Sequence, residues 1–346
     1  ERRFSLTTRW IALLAAAALT VLPGCSAEPE PVRAERSLFA MNTYMTFTAY
    51  GENGEAALEK GAERIQELES LWSVTEEGSE IYQANHSGGQ AVALSRETAG
   101  LVSFALEMAR ETEGALDPTI YPVLTAWGFT TDQKRVPSQE EIDGLLQRVG
   151  SERIRLEGTS LTVPDGMQLD LGAVGKGYAA DLAAQVLREH QVESAMLSLG
   201  GNLQAIGCRP DGSDWRVGIR APWEEGNLGV LEVRDAAVVT SGGYENYFQD
   251  GEGNLYWHIL DPSTGYPARS GLEAAVIVGA EGRLCDALST ALFVMGAEKA
   301  EAYWRQHGGF DMLLVTSGGE ILLTEGIAGR FILADGREET VRVLEA

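Results

Sequence analysis

Residues 169–182, Leu-Asp-Leu-Gly-Ala-Val-Gly-Lys-Gly-Tyr-Ala-Ala-Asp-Leu, constrain this chain more than any other stretch. The apolar start predicts a short strand, Gly172 breaks it, and a helix is expected after Gly177, running to about His190. Glycines let backbone approach a ligand closely, and a helix N-terminus offers free N–H groups and partial positive charge to an anion. Asp170 and Lys176 flank the turn, so a carboxylate and an ammonium face one small volume. The pattern matches neither common phosphate fingerprint. A Walker loop carries Ser or Thr after its Lys, where Gly177 stands here, and Gly172, Gly175 and Gly177 lack dinucleotide-turn spacing. On these residues alone, an anion cradle and a structural turn both stay open.

The segments around it set the fold class. Glu55–Trp72 carries apolar residues at helical spacing, and Ser95–Glu113 predicts a second helix ended by Gly114. Ser138-Gln-Glu-Glu141 reads as a capping box opening a helix to Val149, while polar Ser73–Gly89 reads as loop. Pro118 makes Asp117 extended, where its carboxylate can cap a turn or meet a ligand. β-favouring residues predict a strand over Ser37–Tyr50 with Met41 inside it, and a hairpin over Arg153–Val163 turning near Gly158. Short strands follow at Ser194–Ser198, Leu203–Ile206, Trp215–Ile219, Gly229–Val233 and Ala236–Thr240. Runs of short strands after helices, without βαβ alternation, indicate an α+β body with largely antiparallel sheets and packed helices.

At 346 residues and 44% hydrophobic, the chain can bury a large core. A formal charge of −24 excludes nucleic acid as a partner and repels anionic lipid unless an anchor is present. The sequence offers one. Arg2, Arg3 and Arg9 precede the apolar run Trp10–Leu22, which is too short to span a bilayer. The run ends in Leu22-Pro23-Gly24-Cys25, which resembles a bacterial lipobox, where cleavage leaves the cysteine to carry lipid. The expected organisation is a lipoprotein signal peptide over 1–24, a Pro- and Glu-rich flexible tether over 25–36, and a folded domain over 37–346. It puts the protein on the extracytoplasmic side of the cell membrane, lipid-anchored at Cys25. Cys208 and Cys285 are expected as buried thiols, with a disulfide left open because their separation is unknown. No Cys/His spacing of metal-site type occurs.

The second half of the chain concentrates chemistry. Ser198-Leu-Gly-Gly-Asn202 and Thr240-Ser-Gly-Gly-Tyr-Glu-Asn-Tyr247 each put two glycines after a strand. His258-Ile-Leu-Asp-Pro-Ser-Thr-Gly265 follows a strand and ends in turn residues. Cys285-Asp-Ala-Leu-Ser-Thr290 opens a helix on which Asp286 and Thr290 share one face, with Ser289 beside them. One carboxylate and two hydroxyls suit a hard cation such as Mg²⁺, and equally suit a helix N-terminal charge with packing hydroxyls.

In this order, the clusters resemble the ApbE family of FAD:protein FMN transferases. The matching pieces are Met41-Asn-Thr, Gly114-Ala-Leu-Asp117, Asp170–Asp181, Ser198–Asn202, Thr240–Tyr244, His258–Gly265 and Asp286–Thr290. They span the chain from about Leu38 to its C-terminus. The resemblance implies a T-fold-like α+β body with two lobes around an FAD cleft. It also implies FAD contacts at Met41, Ala115, Leu116, Asp117, Asp170, Lys176 and Leu260. Mg²⁺ would sit on the Ala173 carbonyl, Asp286, Ser289 and Thr290, and His258 would be the catalytic base. The implied reaction moves FMN from FAD to a threonine of an acceptor protein and releases AMP. The acceptors are membrane electron-transport subunits of Rnf or Na⁺-pumping quinone-reductase type, carrying Asp-x-x-Ser/Thr-Gly-Ala/Ser-Thr. The chain departs from the family pattern at Asn42 (usually Gly), at Ser289 and Ala173 (Asp and Thr in some members), and at Thr75 (often aromatic). Two rival readings are an FAD pyrophosphatase giving FMN and AMP, and a non-enzymatic flavin-binding lipoprotein.

Overall fold

The computed structural model describes residues 31–131 and 133–346. The signal peptide, Cys25 and the tether up to residue 30 lie outside them. Among the described residues, one nine-stranded sheet organises the chain, and its strands lie side by side in sequence order. They are Arg33–Ala40 (β1), Thr43–Tyr50 (β2), Ser194–Leu199 (β3), Asn202–Ile206 (β4), Ala237–Gly242 (β5), Leu272–Gly279 (β6), Asp311–Thr316 (β7), Glu320–Thr324 (β8) and Thr340–Leu344 (β9). Every neighbouring pair is antiparallel except β8 and β9. The expectation of an α+β body with mostly antiparallel sheets holds.

Side-chain alternation explains the layering. Along β6, Ala275 and Ile277 enter a core under the helices, while Ala274, Val276 and Val278 enter a second core on the opposite face. The helical side consists of Gly54–Trp72 (α1), Arg96–Glu111 (α2), Gly175–Glu189 (α3) and Gly282–Met295 (α4). Here α1 packs on α3, α3 on α4, and α4 on β5 and β6. The opposite face is covered by a three-stranded sheet of Trp215–Arg220, Asn227–Val233 and Phe331–Leu333. A third, smaller core gathers Val123, Trp127, Ile142 and Leu260, with Phe129, Phe248 and Tyr256 against it.

Several expectations need correction. The strand predicted over Ser37–Tyr50 is a hairpin, β1 and β2, starting at Arg33, so the last four residues assigned to the tether are ladder residues. Its turn is Met41-Asn42, with φ of 48° and 61°. Two consecutive positive φ values are those of a type I′ turn, whose twist matches that of paired strands. Asn tolerates that geometry where Met does so poorly, and no Gly marked it. Ser73–Gly89 contains a short helix, Glu80–Asn85, capped by the Ser79 hydroxyl accepting from the Tyr82 N–H. Leu169–Leu171 does not pair as a strand. Its backbone is instead held by side chains and loops: the Asn85 amide accepts from the Leu169 N–H and donates to the Leu169 carbonyl, and Asp170 N–H donates to Pro118 O. The helix after it starts at Gly175, not after Gly177 as expected. Both described cysteines are free thiols; Cys285 is buried, but Cys208 is half-exposed.

Candidate active site

The expected cap at Ser138 is present, its hydroxyl accepting from the Glu141 N–H, but the helix ends at Leu146 rather than Val149. That helix, Gln139–Leu146, belongs to the small core, and the cavity of interest opens where this core meets the main body. The cavity holds about 320 Å³, within the ~300–1,000 Å³ range of ligand pockets. Its wall is built from six stretches distant in sequence: 115–124, 170–176, 200–202, 240–245, 258–262 and 286–290. Ala115, Leu116, Asp117, Asp170, Ala173, Lys176, His258, Leu260, Asp286 and Thr290 all line it. These sequence-predicted residues therefore meet in one place.

Met41 and Ser289 are not among the lining residues. Met41 forms the hairpin turn, its N–H donating to Glu69 Oε1 at 2.6 Å. Ser289 is fully buried, its hydroxyl 2.9 Å from the Asp286 carbonyl and 2.8 Å from Ser241 Oγ. Ser241 takes the place at the wall, within 3.5 Å of Thr290 Oγ1 as well. Asp117 lines the cavity and also caps its own loop: Oδ1 accepts from the Thr119 N–H and hydroxyl, and Oδ2 from the Ser151 N–H. It therefore fixes the loop whose backbone forms that wall.

The glycines around Lys176 also differ from the predicted anion cradle. The Gly175 N–H donates to Leu171 O, and the Gly177 N–H donates to Asp286 Oδ2 at 2.8 Å. The carboxylate of α4 thus satisfies the N-terminus of α3, where a negative charge is favoured by the helix dipole. Glycine is required at 177 for this approach. A Cβ there would stand 2.7 Å from Asp286 Cβ and collide with the Gly282 carbonyl. Lys176 reaches back to its own turn, donating to Gly172 O at 3.1 Å.

Electrostatics separate the titratable groups. Burial raises Asp170 above the ordinary carboxylate range, opposed by the Gly172 N–H and the Lys176 charge. His258 is pushed down to about 4, first by burial and then by the Lys176 charge, with Lys134 acting in the same direction. The imidazole is therefore neutral at pH 7. Its Nδ1 lies 3.2 Å from Asn246 O, which also accepts the His258 backbone N–H at 3.0 Å. A carbonyl only accepts, so Nδ1 carries the proton and Nε2 the lone pair.

Among the described residues, no group of three or more His, Cys, Asp or Glu side chains could hold a metal. The implied Mg²⁺ set has a single carboxylate, and its fit rests on oxygen chemistry. Asp286, Thr290 and Ser241 bring oxygens to one wall. Asn202, only 2% exposed, donates to Asp286 Oδ1 at 3.3 Å, while its own Oδ1 is buried without a partner. An orphaned carbonyl beside a carboxylate and hydroxyls fits a hard cation with bound water. Asn202, Thr240, Ser241 and Glu245 are wall residues that sequence reasoning did not single out, although the Gly-Gly clusters containing all four were visible.

Known proteins resemble the chain over most of its length. The chain is 34% identical over 301 residues to an FAD:protein FMN transferase of Treponema pallidum, covering 82% of this chain and 83% of that protein. It is 29% identical over 335 residues to one of Escherichia coli K12, covering 91% and 94%. A crystal structure of the ApbE protein from Thermotoga maritima superposes with a TM-score of 0.80 at 32% identity, over 85% of this chain and 98% of that one. The flavin transferase ApbE from Vibrio cholerae gives 0.79 at 26% identity, over 87% and 99%. Residues 41–314 match the ApbE family model, and the chain belongs to the ApbE family.

Proposed function

We propose that this chain is an FAD:protein FMN transferase that moves FMN from FAD to a threonine hydroxyl of an acceptor protein, depends on Mg²⁺ and releases AMP. The observation that carries the reading is His258: a neutral imidazole with a fixed tautomer, on the wall of the same cavity as Asp286, Thr290 and Lys176. Mere flavin storage needs no such base.

FAD is substrate here. Ala115, Leu116, Asp170, Lys176 and Leu260 form the surface against which it would lie, and the Asp117-capped loop keeps that surface in shape. His258 Nε2 takes the proton from the attacking threonine hydroxyl as its oxygen bonds to the FMN phosphorus. The phosphorus–oxygen bond to the AMP moiety breaks, and AMP departs with that oxygen. Lys176, half-buried on the wall, offsets developing negative charge. The Ala173 carbonyl, Asp286 and Thr290 would hold Mg²⁺, with Ser289 steadying that helix turn, and the ion would supply charge neutralisation to the pyrophosphate.

The acceptor is read as a membrane subunit of Rnf or Na⁺-pumping quinone-reductase type carrying Asp-x-x-Ser/Thr-Gly-Ala/Ser-Thr. The enzyme would meet it on the extracytoplasmic face, held by lipid on Cys25. What supports this is the lipobox resemblance at Leu22–Cys25 and the acidic charge that keeps the body off anionic lipid. The test mixes protein, FAD and Mg²⁺ with a threonine-bearing acceptor domain and reads flavin fluorescence on the denatured acceptor. Covalent flavin abolished by chelator is expected. Free FMN with no labelled acceptor would replace the reading with FAD hydrolysis.

A further inference from the structure

Lys134 lies on the segment between the helices Tyr121–Ala126 and Gln139–Leu146, outside the cavity wall. Its ammonium donates to Asn246 Oδ1 at 2.8 Å and to the Tyr247 carbonyl at 3.1 Å. Asn246 sits in the turn between β5 and the short strand Tyr247–Gln249, and its carbonyl is the group that accepts from His258 Nδ1. One cation therefore grips both sides of the peptide unit that orients the imidazole.

The grip has a firm base. The neighbouring Arg135 N–H donates to Trp127 O, and the Arg135 side chain pairs with Glu141 on Gln139–Leu146. Phe129, from the same segment, meets the His258 ring edge-on at 6.5 Å, and Lys134 lies 5.9 Å from the Phe129 ring centre. A turn residue held only by its own loop can rotate its peptide plane. Two donors from a separate, anchored segment remove that freedom.

We propose that Lys134 is a positioning residue for His258, clamping the Asn246 turn so that its carbonyl holds Nδ1–H and Nε2 stays the free base. This rests on the reading of His258 as the base of the transfer reaction. The charges acting on the ring are those of Lys176 from α3 and Lys134, and the shared wall also carries the carboxylates of Asp117, Asp170, Glu245 and Asp286. Lys134 and Lys176 both oppose protonation, so losing either raises the pH at which His258 titrates.

The experiment compares full-length wild type with Lys134→Met, Lys134→Arg and Asn246→Ala. Lys134→Met is expected to lower kcat about tenfold with KM for FAD unchanged, because orientation is lost rather than substrate binding. Lys134→Arg, which keeps charge and donors, restores most of it. Asn246→Ala keeps both carbonyls and loses only the side-chain half of the grip, so its loss is smaller, and the double variant falls no further than Lys134→Met alone. Histidine NMR gives a readout independent of activity: in Lys134→Met the His258 ring titrates at higher pH and its Nε2–H tautomer appears. Wild-type kcat in Lys134→Met, or a kcat loss with unchanged His258 titration and tautomer, overturns the proposal. If wild type transfers no FMN, the functional reading fails on its own, and the NMR comparison still decides whether the clamp exists.

Discussion

At the scale of single residues, the site depends on what surrounds each titratable group. His258 is an ordinary imidazole made persistently neutral by enclosure and two lysines. Its cation forms only as pH falls through about 4, so transfer is expected to be flat in its acid limb down to about pH 5 and to fall below it. The same shift acts on folding. The folded value lies below the 6.5 of an unperturbed imidazole, so the stability it represents is present above 6.5 and is lost as pH falls toward 4. In His258→Gln, urea unfolding between those limits should show a shallower pH slope than wild type. That variant is also expected to keep FAD binding, by fluorescence titration, while transfer drops roughly 100-fold or more. Asp286 has two roles, since Oδ2 caps α3 and Oδ1 faces Asn202. Asp286→Asn keeps a carbonyl for the Gly177 N–H but removes the charge. Mg²⁺ should then no longer raise the melting temperature, while the metal-free melting temperature changes little.

At the scale of elements, the site is created by crossings that leave only a faint trace in one sequence. Gly177 on α3 and Gly282 on α4 meet face to face, each leaving no room for a Cβ on the other. Gly177→Ala is therefore expected to force the helices apart and lose about 1–3 kcal/mol in urea unfolding, with FAD affinity falling too because Asp286 moves with α4. From sequence Gly177 stays open between an anion cradle and a structural turn, because close helix packing and an anion site both call for glycine beside a helix start. The helices and the short strands were legible, since periodicity is a local signal, and the family resemblance singled out His258, Asp170 and Asp286, which line one cavity. Three things were not legible. The type I′ turn at Met41-Asn42 lacked a glycine, the helix Glu80–Asn85 was too short to show a period, and Leu169–Leu171 is held by the Asn85 side chain rather than by a ladder. Lys134 was invisible for the same reason: its role lies wholly in a contact 112 residues away.

At the scale of the whole molecule, every wall residue of the cavity lies in the compact unit Val32–Ala346, which has the sheet as its spine. Where that unit begins has a physical answer in β1. Arg33, Ala34, Glu35 and Arg36 pair with Tyr50, Ala49, Thr48 and Phe47, and Ala34 packs in the first core beside Gly54 at the start of α1. β1 is the sheet's outer strand, so it also shields β2, whose Met45, Phe47 and Ala49 are fully buried. A body starting at residue 32 keeps the whole ladder, whereas one starting at residue 37 exposes half of β2's edge. The first is expected to melt with the full-length protein and to flavinylate a soluble acceptor domain at the same rate. The second should melt several degrees lower and bind FAD more weakly, because the β1–β2 turn at Met41 is tied to Glu69 on α1. Paired thermal melts and FAD titrations of the two fragments check this. Equal melting temperatures would mean that residues 33–36 add nothing to the fold beyond a link to what precedes them.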